Sequence, residues 1–340
     1  MPERSWPLAL GETEGWAQVA DGAPQPYTAN LMKVGAMLPE TLTLLRAWEG
    51  EPRPAFTRRM LEQNLVGKTT RVRLADLLAR VFWRRFPLGA TPGLADASAF
   101  VRADDAGEAS RWICLLHAAL AEPLLADVLE ALSGRVTRAE SDAAPRLRAA
   151  ARAGTLGTED VVALIRERAD PTATEWSLNT IRRTARGALA ALRDFGLLAG
   201  RGRKRLVPLA TPPLAAFLYA AHAWHSDIES AHDLALSPRW STFLLDPAGV
   251  ELRFLQAHAA GHLRYYRLGD TWRIDWIHGD LGGFVAAYGA AGRGPAREEI
   301  ESPQPAVALE SSAGPASPPL GQAQGTAAPI ALKEEPHGDG

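Results

Sequence analysis

The segment Ser177–Leu209, which reads SLNTIRRTARGALAALRDFGLLAGRGRKRLVPL, constrains the fold most because a helix pattern runs directly into a turn pattern. Its first residue, Ser177, is a typical helix N-cap, since its hydroxyl can accept a free backbone N–H of the first turn. Apolar residues then recur at the spacing of one helical face, at Ile181, Ala185, Ala188, Leu192 and Phe195. Gly196 supplies a left-handed stop. The segment therefore predicts an amphipathic helix that ends at Gly196.

A basic side accompanies this apolar face. Successive residues lie about 100° apart on a helix, so three arginines fall beside the apolar face and a fourth lies further round. The three are Arg182, Arg186 and Arg193, and the fourth is Arg183. Near the start of the helix, Asn179 is the only amide that could read a base edge.

A glycine-containing turn follows the predicted helix. Leu197–Leu198 and Leu206–Val207 read as two short strands of a hairpin, with the tip at residues 200–205. Four cations, which we call the turn cations, occupy this tip: Arg201, Arg203, Lys204 and Arg205. Across helix and turn, seven arginines and one lysine stand against a single acid, Asp194.

A basic helix followed by a basic-tipped hairpin is the pattern of a winged helix-turn-helix. In such a module the helix lies in or near a groove of the duplex, and the hairpin reaches the neighbouring phosphates. The simpler interpretation is a solvated helix face and a surface loop, because most runs of charge are only that. Helix and turn are basic together, and this favours contact with nucleic acid.

The whole chain is predicted to be mainly α-helical, and its 340 residues allow two modest domains. The predicted segments are a flexible arm at 1–26, a helical bundle at 27–153, the winged helix-turn-helix at 154–210, a region of helices and one β-hairpin at 211–292, and a disordered tail at 293–340. The arm carries a net charge of −3 and the tail −4, so the overall −2 leaves +5 on the body between them. A basic body with acidic ends fits a nucleic-acid binder.

Two long helices are predicted within the bundle. Thr69 is expected to cap the first, whose core side includes Val72 and whose outer side includes Arg85. The second covers the strongly apolar stretch Glu108–Leu132 and is expected to bend at Pro123. Both patterns indicate a core built from helix packing.

A second hairpin is predicted towards the C-terminus. The stretch LRYYRLGDTWRIDWI alternates around Leu268-Gly269-Asp270. Its aromatic face, formed by Trp272, Ile274 and Trp276, indicates packing against the core rather than contact with DNA.

The sequence predicts a soluble, cytoplasmic protein. The single cysteine, Cys114, lies in an apolar run and has no partner for a disulfide, which suits a reducing compartment. The first residues lack the pattern of a signal peptide. No run approaches the roughly 20 apolar residues that cross a bilayer, so no membrane is expected as a partner.

Two patterns resemble enzyme motifs but are incomplete, so no catalytic residue, metal or cofactor is predicted. His258 and His262 are four apart and could share a metal on one helical face, but no H-E-x-x-H motif accompanies them. Val66–Thr70 ends like a phosphate-binding loop, yet the glycine that such a loop needs upstream is Glu62 here. The first pattern indicates ordinary histidines, and the second indicates a helix cap.

Two blocks of the chain resemble the BrxA family of bacterial BREX (bacteriophage exclusion) systems. The first contains YTANLMKVGAMLPETLTLL and MLEQNLVGKTTRVRLADLLARVFWRRF, and the second contains SLNTIRRTARGALAALRDFGLL followed by FLYAAHAW. The resemblance covers much of Tyr27–Trp224 as spaced patterns. The chain then continues through a further region whose role the resemblance does not supply.

The resemblance implies a mainly helical, non-enzymatic protein with a winged-helix part that binds DNA and serves phage defence beside other BREX proteins. A helical part of the family is also compared with the transcription antitermination protein NusB. Together with the basic helix and turn, this favours a protein that binds double-stranded DNA mainly through its phosphates. A sequence-specific winged-helix regulator, a scaffold that docks partner proteins and a metal-dependent nuclease remain as alternatives.

The composition of the C-terminal tail gives a first testable prediction. Deletion of Arg293–Gly340 should leave the melting temperature nearly unchanged, because a segment rich in Pro, Ala, Gly, Ser and Glu cannot bury enough apolar surface to order itself. Thermal unfolding of the full and shortened chains, followed by circular dichroism, measures this. A fall of several degrees would show that the tail packs on the body.

Overall fold

The structure, a computed structural model, describes residues 27–68, 70–133, 145–168, 176–200, 204–206 and 211–292. Helices dominate these ranges, as the sequence predicts, and two small antiparallel sheets accompany them. The predicted arm at 1–26, the predicted tail at 293–340 and the turn cations Arg201 and Arg203 lie outside the described residues.

Helices alone form the N-terminal part of the described fold. They are α1 (Asn30–Val34), α2 (Leu38–Ala47), α3 (Arg53–Gln63), α4 (Arg71–Leu77), a π-helical turn (Leu78–Phe82), α5 (Trp83–Arg85), α6 (Leu94–Ala103), α7 (Glu108–Ala121) and α8 (Pro123–Ser133). Prolines stand in the first turns of α2 and α3, where the missing N–H would have had no helical partner.

Three helices and a small sheet follow. They are α9 (Pro145–Arg152), β1 (Thr155–Leu156), α10 (Thr158–Arg168), α11 (Leu178–Asp194), β2 (Leu198–Ala199) and β3 (Lys204–Leu206). The strands pair antiparallel in the order β1-β3-β2. The strand β1 was not predicted, because two residues are too few to show the alternation of polar and apolar side chains that marks a strand.

The C-terminal part combines helices with the second hairpin. Its elements are α12 (Leu214–His225), α13 (Ala231–Leu236), a 3₁₀ helix (Pro238–Phe243), α14 (Pro247–Ala259), β4 (Leu263–Leu268), β5 (Thr271–Trp276) and α15 (Leu281–Gly292). In the hairpin, Leu263 faces Trp276 and Leu268 faces Thr271. The predicted hairpin is therefore confirmed, and its aromatic face lies partly buried against the core.

One hydrophobic core extends through all of these parts, from Leu31 in α1 to Val285 in α15. Aromatic contacts join them: Trp112 of α7 meets Phe243 of the 3₁₀ helix edge to face at 5.7 Å between ring centres. Phe100 of α6 stacks on Tyr288 of α15 at 4.8 Å. The C-terminal region therefore packs against the helical bundle.

Two assignments in the first long helix were wrong. Val72, predicted in the core, is 72% exposed, whereas Arg85, predicted outside, is only 2% exposed. Val72 lies about 160° round the helix from the buried Leu74 and so faces solvent. Arg85 follows a π-helical turn and is held inward, where its guanidinium donates to the carbonyl oxygens of Ala36 and Gly35. Both predictions had followed the polarity of the residue alone. The helix cap is Thr70, whose hydroxyl accepts the Arg73 N–H at 3.2 Å, and the predicted cap Thr69 lies outside the described residues.

Pro123 breaks the predicted central helix rather than bending it. Proline lacks the N–H that would continue α7, and it starts α8 at an angle of 116° to α7. In the described ranges, no single helix is long and apolar enough to cross a bilayer, and α7 and α8 reach such a length only as this bent pair.

Residues 27–36, which we call the N-terminal strap, tie the bundle to α11. Tyr27 donates its hydroxyl hydrogen to Asp127 of α8, and Thr28 donates to Glu122 at 2.7 Å. Burial and the Asp127 carboxylate raise the pKa of Tyr27 well above its ordinary value, so the phenol keeps its proton. These bonds fix the start of the strap on the bundle.

Backbone contacts hold the rest of the strap. The buried guanidinium of Arg85 donates to the carbonyl oxygens of Ala36 at 2.5 Å and Gly35 at 2.9 Å. On the other side, α1 lies directly on α11 at Gly187, where an added Cβ would come within 2.3 Å of the Leu31 carbonyl oxygen. Only glycine allows so close an approach of the two backbones.

This approach makes position 187 of α11 sensitive to any side chain. Gly187→Ala should destabilise the protein by about 1–3 kcal/mol, because the new methyl group forces backbone against backbone. Chemical denaturation monitored by tryptophan fluorescence measures the change in unfolding free energy.

Gly282→Ala in α15 is the matched control. Its Cβ would meet nothing closer than 3.6 Å, and alanine is favoured over glycine in a helix by about 1 kcal/mol. The control should be neutral or stabilising. Equal effects of the two changes would show that α1 does not press on α11.

Candidate nucleic-acid interface

The helix α11 begins and ends as its sequence predicts. The Ser177 hydroxyl accepts the backbone N–H of Thr180 at 3.2 Å. At the other end, Gly196 adopts a left-handed conformation with φ of 76°. Leu197 N–H then donates to the Leu192 carbonyl at 2.9 Å, and this bond closes the helix. Local signals alone therefore position this helix along the chain.

One face of α11 is buried and the opposite face is exposed. The buried residues are Thr184, Ala185, Ala188, Leu189, Ala191 and Leu192. The exposed face carries a run of polar side chains that we call the basic stripe: Asn179, Arg182, Arg183, Arg186 and Arg193. At about 100° per residue these five fall within one third of the helix circumference. The structure therefore brings together all the helix residues that the sequence had selected.

The charges of the stripe are only partly neutralised. At its edge, Arg182 Nε lies 3.0 Å from a carboxylate oxygen of Glu159 in α10. Near the C-terminal end, Arg193 pairs with its neighbour Asp194 at 2.9 Å. Within the described part of the chain, Arg183 and Arg186 make no ion pair, so the charges of these two arginines are not neutralised by an acid there.

Neighbouring elements hold α11 on the body. The strap touches it at Gly187, and α10 packs along its other side. Arg168 at the end of α10 pairs with Asp127 of α8 at 2.7 Å. The same carboxylate accepts the Tyr27 hydroxyl, so one acid fixes both the strap and α10. The helix that carries the basic stripe is thus held by contacts with both the strap and α10.

The structure describes the backbone of two of the four turn cations. Lys204 and Arg205, predicted at the tip, belong to the strand β3, where they pair with Leu156 and Thr155 of β1. The first strand begins and ends one residue later than predicted, and the second begins two residues earlier and ends one residue earlier, with Leu198 opposite Leu206. The missed strand β1 explains this correction, because pairing with it extends β3 into the basic run.

In the structure, the residues of the incomplete enzyme motifs make other contacts. His258 Nδ1 accepts the Tyr265 N–H at 3.1 Å, and nowhere in the described ranges do three His, Cys, Asp or Glu side chains meet to hold a metal ion. Lys68 pairs with Glu40 at 2.5 Å, in the connection between α3 and α4. Burial raises the pKa of Cys114 to about 12, so its thiol stays protonated.

Buried histidines are also poor acids or bases here. His117 binds the Arg85 carbonyl at 2.9 Å and the Tyr219 hydroxyl at 3.1 Å. Burial lowers the pKa of His117 to about 4. His222 packs between the rings of Phe284 and Trp276, and burial, together with neighbouring histidines, lowers its pKa to about 4 as well. Both rings therefore act as neutral core side chains near pH 7.

Comparison with known proteins agrees with the sequence resemblance. A model of the BrxA family matches residues 25–143, which include the strap and helices α1 to α8. Over this part of the chain, the match supports the resemblance to the BrxA family found in the sequence. No curated protein and no solved structure matches the chain.

Proposed function

We propose that this chain is a DNA-binding, non-catalytic component of a BREX system, because residues 25–143 match the model of the BrxA family, which is associated with such systems. Its ligand is double-stranded DNA, contacted mainly through phosphates. The observation that carries the proposal is the exposed basic stripe on α11, with Arg183 and Arg186 unpaired among the described residues.

The arrangement around α11 supports a groove-facing helix. A preceding helix, α10, packs on α11, and a hairpin follows it, which is the element order of a winged helix-turn-helix. In that module the second helix meets the groove and the hairpin meets the backbone. The basic stripe and the turn cations are then two parts of one phosphate-binding surface.

Phosphate contact fits the stripe better than base reading. Asn179 is exposed, but the hydroxyl of Thr180 lies 3.0 Å from that of Ser177 and serves the helix cap. A sequence-specific regulator needs several side chains that read base edges. We therefore propose binding with little sequence preference.

A docking scaffold is the second candidate, and one observation favours it. The outer side of α14 exposes Leu252 by 56% and Leu255 by 48%, three residues apart on one face. Such a face is suited to another helix, and other BREX proteins would be its partners. A chain that only docks proteins gives no mobility shift with random duplex DNA.

The central arginines give a test of the helix. Arg183→Ala with Arg186→Ala should weaken binding to unrelated duplexes alike, and should flatten the slope of log affinity against log salt by up to about 1.8, since each phosphate contact accounts for about 0.9. Fluorescence anisotropy across a salt series measures both.

The matched control for this test removes the same charge elsewhere. Arg58→Ala with Arg264→Ala changes two exposed arginines that have no ion pair within the described ranges. This control should keep the parent's salt slope. If both double variants lose slope equally, net charge alone attracts the DNA and the stripe is not the site.

The turn cations give a separate test. Changing Arg201, Arg203, Lys204 and Arg205 to alanine should reduce the salt slope by up to roughly 3–4. Circular dichroism should show a retained fold, since the change leaves every buried residue of α11 as it is. Parental affinity and slope in this variant would mean that the hairpin is only a solvated surface, and would strengthen the scaffold candidate. Asn179→Ala should leave affinity nearly unchanged.

A further inference from the structure

An acidic residue of α10 contacts the edge of the basic stripe. Glu159 stands in the first turn of α10, and its carboxylate meets Arg182 Nε at 3.0 Å. Both side chains remain in solvent, with 50% of Glu159 and 43% of Arg182 exposed. The pair joins two helices at positions 23 residues apart.

The position of Glu159 conflicts with phosphate binding. Arg182 lies at the edge of the stripe that faces α10, which is the side where a DNA backbone flanks a helix in the groove. The start of the preceding helix usually helps to bind phosphate, through its N–H groups and its dipole. Here that start carries the half-exposed carboxylate of Glu159, whereas the neighbouring Asp160 is buried, accepts the Gly157 N–H at 2.8 Å and pairs with Arg146 at 3.0 Å. A phosphate approaching this edge meets negative charge.

We propose that Glu159 competes with DNA phosphate for Arg182 and so limits the affinity of the stripe. This inference rests on the proposed function and specifies how that site is regulated. A solvent-exposed ion pair is weak, so phosphate can displace Glu159 from Arg182, but the displaced carboxylate then stays beside the backbone. Glu159 thereby keeps Arg182 from adding a full phosphate contact.

The competition predicts a gain of function. Glu159→Gln should bind random duplex DNA more tightly than the parent. It should also steepen the salt slope by about 0.9, equivalent to one added phosphate contact. The gain in affinity at 50 mM salt should then exceed that at 200 mM by roughly 3- to 4-fold. Fluorescence anisotropy on the full chain measures these values, and a thermal melt checks the fold.

Glu62→Gln is the matched control. Glu62 is exposed on α3 and makes no ion pair within the described residues, so its change removes the same charge without freeing an arginine. It should leave the slope at the parent's value. If Glu62→Gln and Glu159→Gln raise the slope equally, the effect is one of net charge and the inference fails.

A double-variant cycle tests whether Glu159 acts through Arg182. In a chain that already carries Arg182→Ala, Glu159→Gln should no longer steepen the slope, because no arginine remains to be released. A full gain in that background would overturn competition for Arg182. A loss of affinity in Glu159→Gln alone would also overturn it, since it would show that Glu159 holds Arg182 in place for the phosphate.

The outcome for the parent chain separates this inference from the proposed function. If the parent does not bind duplex DNA, the proposed function itself fails. If the parent binds and its affinity depends on Arg183 and Arg186, but Glu159→Gln changes nothing, only the competition fails.

Discussion

The close approach of two backbones at Gly187 is the constraint on which the rest of the arrangement depends. The carbonyl oxygen of Leu31 occupies the space that any side chain would need, so α1 can lie directly on α11. The strap is fixed to the bundle at Tyr27 and by the buried Arg85. One chain of contacts thus runs from the core of the bundle to the helix that carries the basic stripe.

Much of α11 could be predicted because its signals are local. A cap, an apolar face and a left-handed glycine all act within a few residues, and the structure shows each of them. The burial of Arg85 is different, because a π-helical turn separates it from Leu74 and the carbonyl groups that it binds lie about 50 residues earlier in the chain.

Other features depend on residues that are far apart in the chain. Nothing near Gly187 shows that Leu31 will cover it, and by local rules this glycine only weakens the helix. Glu159 meets Arg182 only because α10 and α11 pack together. The start of β3 extends into the basic run, where Lys204 and Arg205 pair with β1. Tertiary contact decides all three, and a single sequence does not show it.

The strap also has a consequence for the order in which this protein can fold. Its helix α1 has five residues, too few to be stable in water by itself, and the surface on which it rests is made about 150 residues later in synthesis. Until α11 has been made, the Leu31 carbonyl has no helix to lie against, so this contact forms only after the intervening residues have been synthesised. Closing a contact of such long sequence separation adds loop-closure entropy to the folding barrier. The contact that completes the strap is therefore also the one that holds the basic helix against the bundle.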